Sequence, residues 1–433
     1  MREMKDSNVN WLNAIPCDWA LSRIKYVLNE RTEKNDPIKT KDILSLTAKQ
    51  GVIPLSEKEG GGNKPKEDFT AYKLAYPNDI VINSMNILSG SVGLSKYFGC
   101  VSPVYYMLRP FNDNFDVRYF NYIFQTKVFQ LSLFGLGNGI LIKESGNGKF
   151  NTIRMRIPME KFGNLLIPVP NEKEQIKISN FLDSKCSEID ATVEDIQKEI
   201  SLLEDYKKSV ITEVVTKGLN PDAEMKDSGI EWIDEIPKHW EIIRIGYILG
   251  EIDRRSITGM EESLSVSQVL GVVPSSQIAV PSTASTMVGQ KIVEPGELVL
   301  NKLKAHLGVC FVSNYKGLVS PDYAVYKANE KVKSKLLEYV FHTASCIWEF
   351  KKYITGIGQG LSRLYTKDLF RINVALPDML EQQQIVSYLD SKCSEIDTLI
   401  ADKKRQLNIL ADYKKSLIYE YITGKKEVPV KDF

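Results

Sequence analysis

Three histidines and six cysteines make up the chain's whole stock of imidazole and thiol. The cysteines stand at 17, 100, 186, 310, 346 and 393, with no Cys-x-x-Cys pair among them. With no paired spacing and only three scattered histidines, nothing has the signature of a zinc or redox centre, so the thiols read as ordinary reduced cysteines and no metal is expected. Phe134-Gly135-Leu136-Gly137-Asn138-Gly139 has the look of a cofactor-binding glycine loop. It follows a helical pattern instead of a strand, and no Pro-Pro pair exists to build the Asn/Asp-Pro-Pro-Tyr turn of an amino-methylating enzyme. Pro221-Asp222-Ala223-Glu224-Met225-Lys226 holds the letters of a nuclease site, but within six residues of a polar linker they cannot bring two carboxylates to one metal. There is no Gly-x-x-x-x-Gly-Lys-[Ser/Thr] loop for a nucleotide. Nothing marks a Ser/His/Asp or Cys/His constellation. The chemistry left is that of recognition: amides, hydroxyls, lysines and arginines on whatever scaffold presents them.

That scaffold is written twice. Leu182-Asp183-Ser184-Lys185-Cys186-Ser187-Glu188-Ile189-Asp190 returns letter for letter as Leu389-Asp390-Ser391-Lys392-Cys393-Ser394-Glu395-Ile396-Asp397, 207 residues later. Glu174-Gln175 and Ile178 match Glu381-Gln382 and Ile385, and Asp205-Tyr206-Lys207-Lys208-Ser209 matches Asp412-Tyr413-Lys414-Lys415-Ser416, at the same offset. Trp11-Leu12, Ile15-Pro16 and Trp19 are echoed by Trp232-Ile233, Ile236-Pro237 and Trp240. Ile80-Val81-Ile82-Asn83 and Val101-Ser102-Pro103 are echoed by Leu298-Val299-Leu300-Asn301 and Val319-Ser320-Pro321, at an offset of 218. Between these landmarks the halves diverge.

The repeated segments carry a heptad seam, with steps alternating four and three. In the first copy it runs through Leu182, Cys186, Ile189, Val193, Ile196, Ile200 and Leu203; in the second through Leu389, Cys393, Ile396, Ile400, Leu407, Leu410 and Leu417. Pro170 and Pro377 precede the rods, Asn171 and Asp378 are the expected N-caps, and Glu174 and Glu381 stand at the capping-box position. About 40 helical residues at 1.5 Å each make a rod of roughly 60 Å, whose apolar seam needs a partner. Matched seams in one frame predict that the two rods pair with each other, antiparallel.

The expected division is residues 1–170, a first recognition block; 171–220, a central helix; 221–377, a second block; and 378–433, a C-terminal helix and tail. The blocks read as mixed α+β. Ile80-Val81-Ile82 and Leu298-Val299-Leu300 look like buried strands, and runs flanking Tyr97-Phe98-Gly99 and Asn314-Tyr315-Lys316-Gly317 suggest hairpins. Residues 115–134 and 331–355 have helical spacing, with Gly135 and Gly356 as stops. Four of the five tryptophans lie in the paired segments 11–19 and 232–240, each closed by an Ile-Pro-x-x-Trp motif, where anchoring each block's first segment against its sheet is the expected role.

Composition agrees with a large soluble protein: 433 residues, 43% hydrophobic and 26% charged. The net charge of +1 does not announce nucleic-acid binding, but its distribution is uneven. Residues 1–170 hold 22 Lys/Arg and 16 Asp/Glu, 171–220 hold 7 and 11, 221–377 hold 18 and 18, and 378–433 hold 9 and 10. The first block is therefore the basic one. No apolar leader follows Met1, and no run approaches the ~18–20 residues of a membrane span, so a cytoplasmic protein without membrane contact is expected.

The doubled Leu-Asp-x-Lys-x-x-x-Ile-Asp, together with Asp-Ser-Gly-Ile-Glu-Trp-Ile-Asp-Glu-Ile-Pro-Lys-His-Trp at 227–240, closely resembles the specificity subunit of type I restriction–modification systems, over essentially the whole chain. The resemblance implies two target-recognition domains joined by two long antiparallel coiled-coil helices. It implies a non-catalytic subunit that reads a bipartite, asymmetric site in double-stranded DNA. It further implies docking of two modification (methyltransferase) subunits and, through them, restriction subunits that act as motor and nuclease. S-adenosylmethionine, ATP and Mg would then belong to those partners, with none held by this chain. Gly358-Gln359-Gly360-Leu361 in the second block matches a turn of the family, whereas the first has Gly137-Asn138-Gly139-Ile140 and an extra stretch at 141–150. The alternative is a two-headed coiled-coil scaffold that binds proteins and not DNA.

Base reading needs polar side chains on loops, with Lys and Arg on phosphates. The candidates are Lys58, Asn63, Lys64, Asn83, Ser84, Asn86, Asn138, Lys143, Asn147 and Lys149 in the first block. In the second they are Arg254, Arg255, Gln268, Gln277, Lys302, Lys304, His306, Gln359 and Arg363, of which Lys302 and Arg363 stand beside landmarks shared by both halves.

Overall fold

Both heptad stretches fold as unbroken helices, Glu172–Lys217 and Met379–Ile422, in a computed structural model of the chain. It describes residues 2–47, 50–58, 65, 67–144, 150–278, 287–354 and 363–429, with backbone only at 138–144 and 150–155. Asn171 Oδ1 accepts the Glu174 N–H at 3.0 Å and Asp378 Oδ1 accepts the Glu381 N–H at 2.9 Å, the N-caps expected from sequence. Leu182, Ile189, Ile196, Leu389, Ile396, Ile400 and Leu417 are buried; Val193, Ile200, Leu203, Leu407 and Leu410 are half-buried. Full burial of a leucine such as Leu182 or Leu389 contributes about 1.5–3 kcal/mol, so the ends of the seam, which join the head cores, stabilise each helix most.

The chain divides into two compact units, Met1–Ile196 with Arg405–Phe433, and Gln197–Lys404. Each holds one head and a stretch of both long helices, and within each unit those stretches run antiparallel. In the first unit, Phe181 packs on Tyr421 with ring centroids 4.5 Å apart, and the Lys414 ammonium donates to Asp190 at 2.6 and 2.7 Å. In the second, Lys207 donates to Asp397 at 2.7 and 2.6 Å, and Lys403 meets Glu199 at 2.5 Å.

The heads share one α+β plan. The first has a four-stranded antiparallel sheet in the order Leu28–Arg31, Tyr105–Pro110, Ile80–Asn83, Val92–Leu94. The second repeats it as Leu249–Ile252, Tyr323–Ala328, Leu298–Asn301, Cys310–Val312. Register is preserved: Tyr105 stands opposite Asn83, and Tyr323 opposite Asn301. Ile80, Val81, Leu298 and Val299 are fully buried, so these middle strands read as continuous apolar runs instead of alternating ones.

Several expectations need correction. The runs around Tyr97-Phe98-Gly99 do not form a hairpin: Val92–Leu94 pairs with the central strand, whereas Gly99–Val101 pairs with Lys73–Ala75. Cys310–Val312 and Gly317–Val319 part company in the same way, to Leu298–Asn301 and Lys291–Val293. Stretch 115–134 is two helices, Val117–Gln125 and Lys127–Ser132, because the Thr126 side chain caps the second by accepting from Phe129 N–H. Thr343 splits Ser334–Phe341 from Ala344–Tyr353 likewise, accepting from Cys346 N–H. Gly135 does end its helix, at φ +87°; Gly356 lies outside the described residues. Residues 221–226 are only partly linker, since Met225–Asp227 is a strand paired with Glu235–Pro237. In the first block Asn138–Glu144, which runs into the extra stretch, pairs antiparallel with Phe150–Arg156.

Candidate nucleic-acid interface

Any reading surface here hangs on the junction between head and helices, and the repeated residues build that junction. Trp19 Nε1 donates to Glu174 Oε2 at 2.9 Å, and Trp240 Nε1 to Glu381 Oε1 at 3.1 Å. The capping-box glutamates thus accept from tryptophans, and Trp19 and Trp240, buried in the same core clusters as the sheet strands of their heads, tie those cores to the helix ends. The C-terminal end of the other long helix arrives at each tryptophan. Gly424, at φ +69°, lies so close to Pro16 that a Cβ would collide with it. Gly218, at φ +76°, leaves 2.9 Å between a would-be Cβ and Glu381 Oε1 and 3.3 Å to the Trp240 ring. Each Ile-Pro-x-x-Trp motif therefore clasps the start of one long helix and the finish of the other.

The remaining repeat letters also have work to do. Gln175 and Gln382, each 1% exposed, accept backbone N–H groups from Asp116 and Lys333, at 3.0 Å each, where the head helices begin. Tyr122 and Tyr339 donate to Asp183 and Asp390, both at 2.6 Å. Burial first, then the neighbouring carboxylate, pushes both phenols far up, so they stay protonated donors. The nine-residue repeat is thus a mounting plate, with an aspartate for the head's tyrosine, a buried Leu/Cys/Ile seam and an aspartate for the opposite helix's lysine.

On this mount the candidate readers fall into distinct settings. Asn83 and Ser84 are buried: Asn83 Oδ1 accepts Met85 N–H at 3.0 Å, and Ser84 Oγ donates to Val104 O at 2.7 Å, so both hold the loop's shape. Asn86 is exposed on that loop, and Lys58 is half-buried after a short turn at Leu55–Glu57. Asn138 and Lys143 lie on strand Asn138–Glu144. Asn63, Lys64, Asn147, Lys149 and Gln359 lie outside the described residues. In the second head, Arg254 is bound to Glu297, and Arg255 donates to Gly289 O at 3.0 Å and meets Asp253 at 2.9 Å. Gln268 and Gln277 are exposed. Lys302, Lys304 and His306 share the turn Lys302–Leu307, on which Lys304 is exposed.

Lys302 and Arg363 are brought to one corner. Leu364 N–H donates to Lys302 O at 3.1 Å, and Arg363 lies 3.4 Å from Asp322. Burial, then Lys291, holds the Lys302 ammonium below its ordinary range, with Arg363 contributing in the same direction. The first head has a counterpart: Ile157 N–H donates to Ser84 O at 3.1 Å, and the preceding residue is Arg156. Arg156 stands 207 residues before Arg363, the offset of the nine-residue match, and that signal would have found it. Arg156 with Glu30, Lys73 and Tyr106 lines an open depression of about 440 Å³. Among the described residues, no group of three or more His, Cys, Asp or Glu could hold a metal ion, and no helix is long and apolar enough to cross a membrane.

Comparison with known proteins agrees with this architecture. Residues 282–408 match the family model of the type I restriction modification DNA specificity domain. A protein described as a type I restriction enzyme MjaX specificity subunit, from Methanocaldococcus jannaschii, is 24% identical over 438 residues, 96% of each chain. The type I restriction enzyme MjaVIII specificity subunit of the same organism is 24% identical over 372 residues, 81% of each chain. Among solved structures, a chain from a study of complex assembly and conformational transition of the type I R-M system has a TM-score of 0.69 at 14% identity, covering 95% of this chain and 99% of that one. The HsdS subunit from Thermoanaerobacter tengcongensis has a TM-score of 0.52 at 16% identity, covering 95% and 98%.

Proposed function

Because the chain belongs to the specificity-subunit family of type I restriction–modification systems, we propose that it reads a bipartite, asymmetric site in duplex DNA, one half with each head, and docks two modification subunits and through them the restriction subunits. Specificity subunits are the non-catalytic component of these systems. The observation that carries the reading is the contrast between mount and head. Mounting residues recur identically, down to Asp183/Asp390 and Asp190/Asp397, whereas loop positions differ: Ser84 in one head stands where Lys302 stands in the other. One frame with two unlike faces suits a target whose halves share a backbone and differ in bases. S-adenosylmethionine, ATP and Mg would be brought by the partners.

The test is an exchange of one head. Residues 221–377 are replaced by the corresponding block of another specificity subunit, and the methylated motif is determined with the modification subunits present. One half of the motif should change and the other should persist. A motif altered in both halves, or in neither, would defeat the one-head, one-half reading.

A further inference from the structure

The heads diverge in their loops, yet one group of polar residues keeps its backbone address in both. Glu30 stands opposite Leu108 in the first sheet and Glu251 opposite Tyr326 in the second, equivalent places in the register. Lys73 and Lys291 begin equivalent strands and reach those glutamates at 3.3 and 3.4 Å. Arg156 and Arg363 each precede the residue whose N–H is bound, at 3.1 Å, to the loop after the central strand. In each Glu–Lys pair the charges are matched and the lysine is the less exposed member, with the Lys291 side chain only 4% exposed and also 3.7 Å from Asp253. The arginines are different. Arg156 is exposed and makes no ion pair among the described residues. Among the described residues Arg363 pairs with Asp322 alone, itself 56% exposed, at 3.4 Å, and such surface pairs contribute about 0–1 kcal/mol.

A cation held at one address in two otherwise unlike heads points to a ligand common to both half-sites. Bases differ between halves; the phosphate backbone does not. Resting on the DNA-recognition reading above, we propose that Arg156 and Arg363 each take one backbone phosphate, as a sequence-blind anchor that sets the register of its head on the duplex. Guanidinium suits this task, since its fork matches two phosphate oxygens at once.

The test uses the full chain assembled with its modification subunits. Affinity for cognate and scrambled duplexes is measured from about 50 to about 200 mM salt, for Arg156→Ala, Arg363→Ala and the two Arg→Lys variants. Each alanine variant should weaken both duplexes about tenfold and lower the log–log salt slope by about 0.9. The lysine variants should restore the slope, and the methylated motif should stay unchanged. Lysine also carries the test should an alanine variant unfold. Undiminished affinity and slope would overturn the proposal, as would a changed base in one half-site, which would make the arginine a base reader. If the unaltered complex fails to bind duplex DNA at all, the recognition reading itself falls.

Discussion

A fragment of residues 1–220 should form a homodimer held by an ion pair that the intact chain makes in another way. Asp190 pairs with Lys414, and Lys207 with Asp397. Asp397 and Lys414 are the repeat partners of Asp190 and Lys207, 207 residues on. Two copies of the fragment can therefore pair antiparallel through one seam, with Asp190 of each facing Lys207 of the other, as a two-fold interface requires. The lysines are about 28–29% exposed and the aspartates about 59–64%, so each pair should contribute about 0.2–1 kcal/mol after solvent screening. Symmetry counts every change twice. Lys207→Glu removes two attractions and adds two repulsions of like size, for a total of about 0.8–4 kcal/mol, or roughly four- to several hundredfold in the dimer dissociation constant. Asp190→Lys should do the same, and the double reversal should recover most of the loss. Sedimentation equilibrium over a concentration series reads all four constants. Equal dissociation constants for single and double reversals would refute this register, and a monomeric, helix-poor fragment at micromolar concentration would refute seam-to-seam pairing altogether.

Three further outcomes follow from the same frame. Inserting one heptad after Glu199 and another after Gln406 keeps the seam in phase and adds ~10 Å of helix at 1.5 Å per residue; sequencing of methylated DNA should show a gap about three base pairs longer with both half-sites unchanged. Incubated with labelled S-adenosylmethionine and DNA but without partner subunits, the chain should transfer no methyl group, and robust turnover would contradict its place as the non-catalytic component. Gly218→Ala, forced to φ +76° against Glu381 and Trp240, should lower unfolding free energy by about 2–4 kcal/mol in denaturant titration, whereas the same change at Gly229, with open space around it, should cost only the about 1–2 kcal/mol of the left-handed backbone.

The frame was legible in the sequence because identical letters at a fixed spacing report identical surroundings. Leu182 and Leu389 are both fully buried, and Asp183 and Asp390 both accept a tyrosine. What the letters hid were partners distant along the chain. Trp19 and Trp240 announce anchors, but no periodicity says that their N–H groups end on Glu174 and Glu381. The strands near Gly99 and Gly317 are adjacent in sequence to Val92–Leu94 and Cys310–Val312 yet belong to other sheets, since short apolar runs carry no record of which edge they join. Of the candidate readers, Asn83 looked like a loop amide but caps its own turn. Arg156 lies beyond the stretch where the first head departs from the second, and its offset of 207 from Arg363 is the one mark in the letters of the place they share.

If the chain selects a two-part DNA site for methylation by its partners, as proposed, sequencing the methylated bases in cells with the intact chain and in cells lacking it should show one asymmetric motif, two specified halves separated by unspecified bases, present with the chain and absent without it. A methylation pattern indifferent to the chain, or a motif that is one uninterrupted block, would contradict that reading.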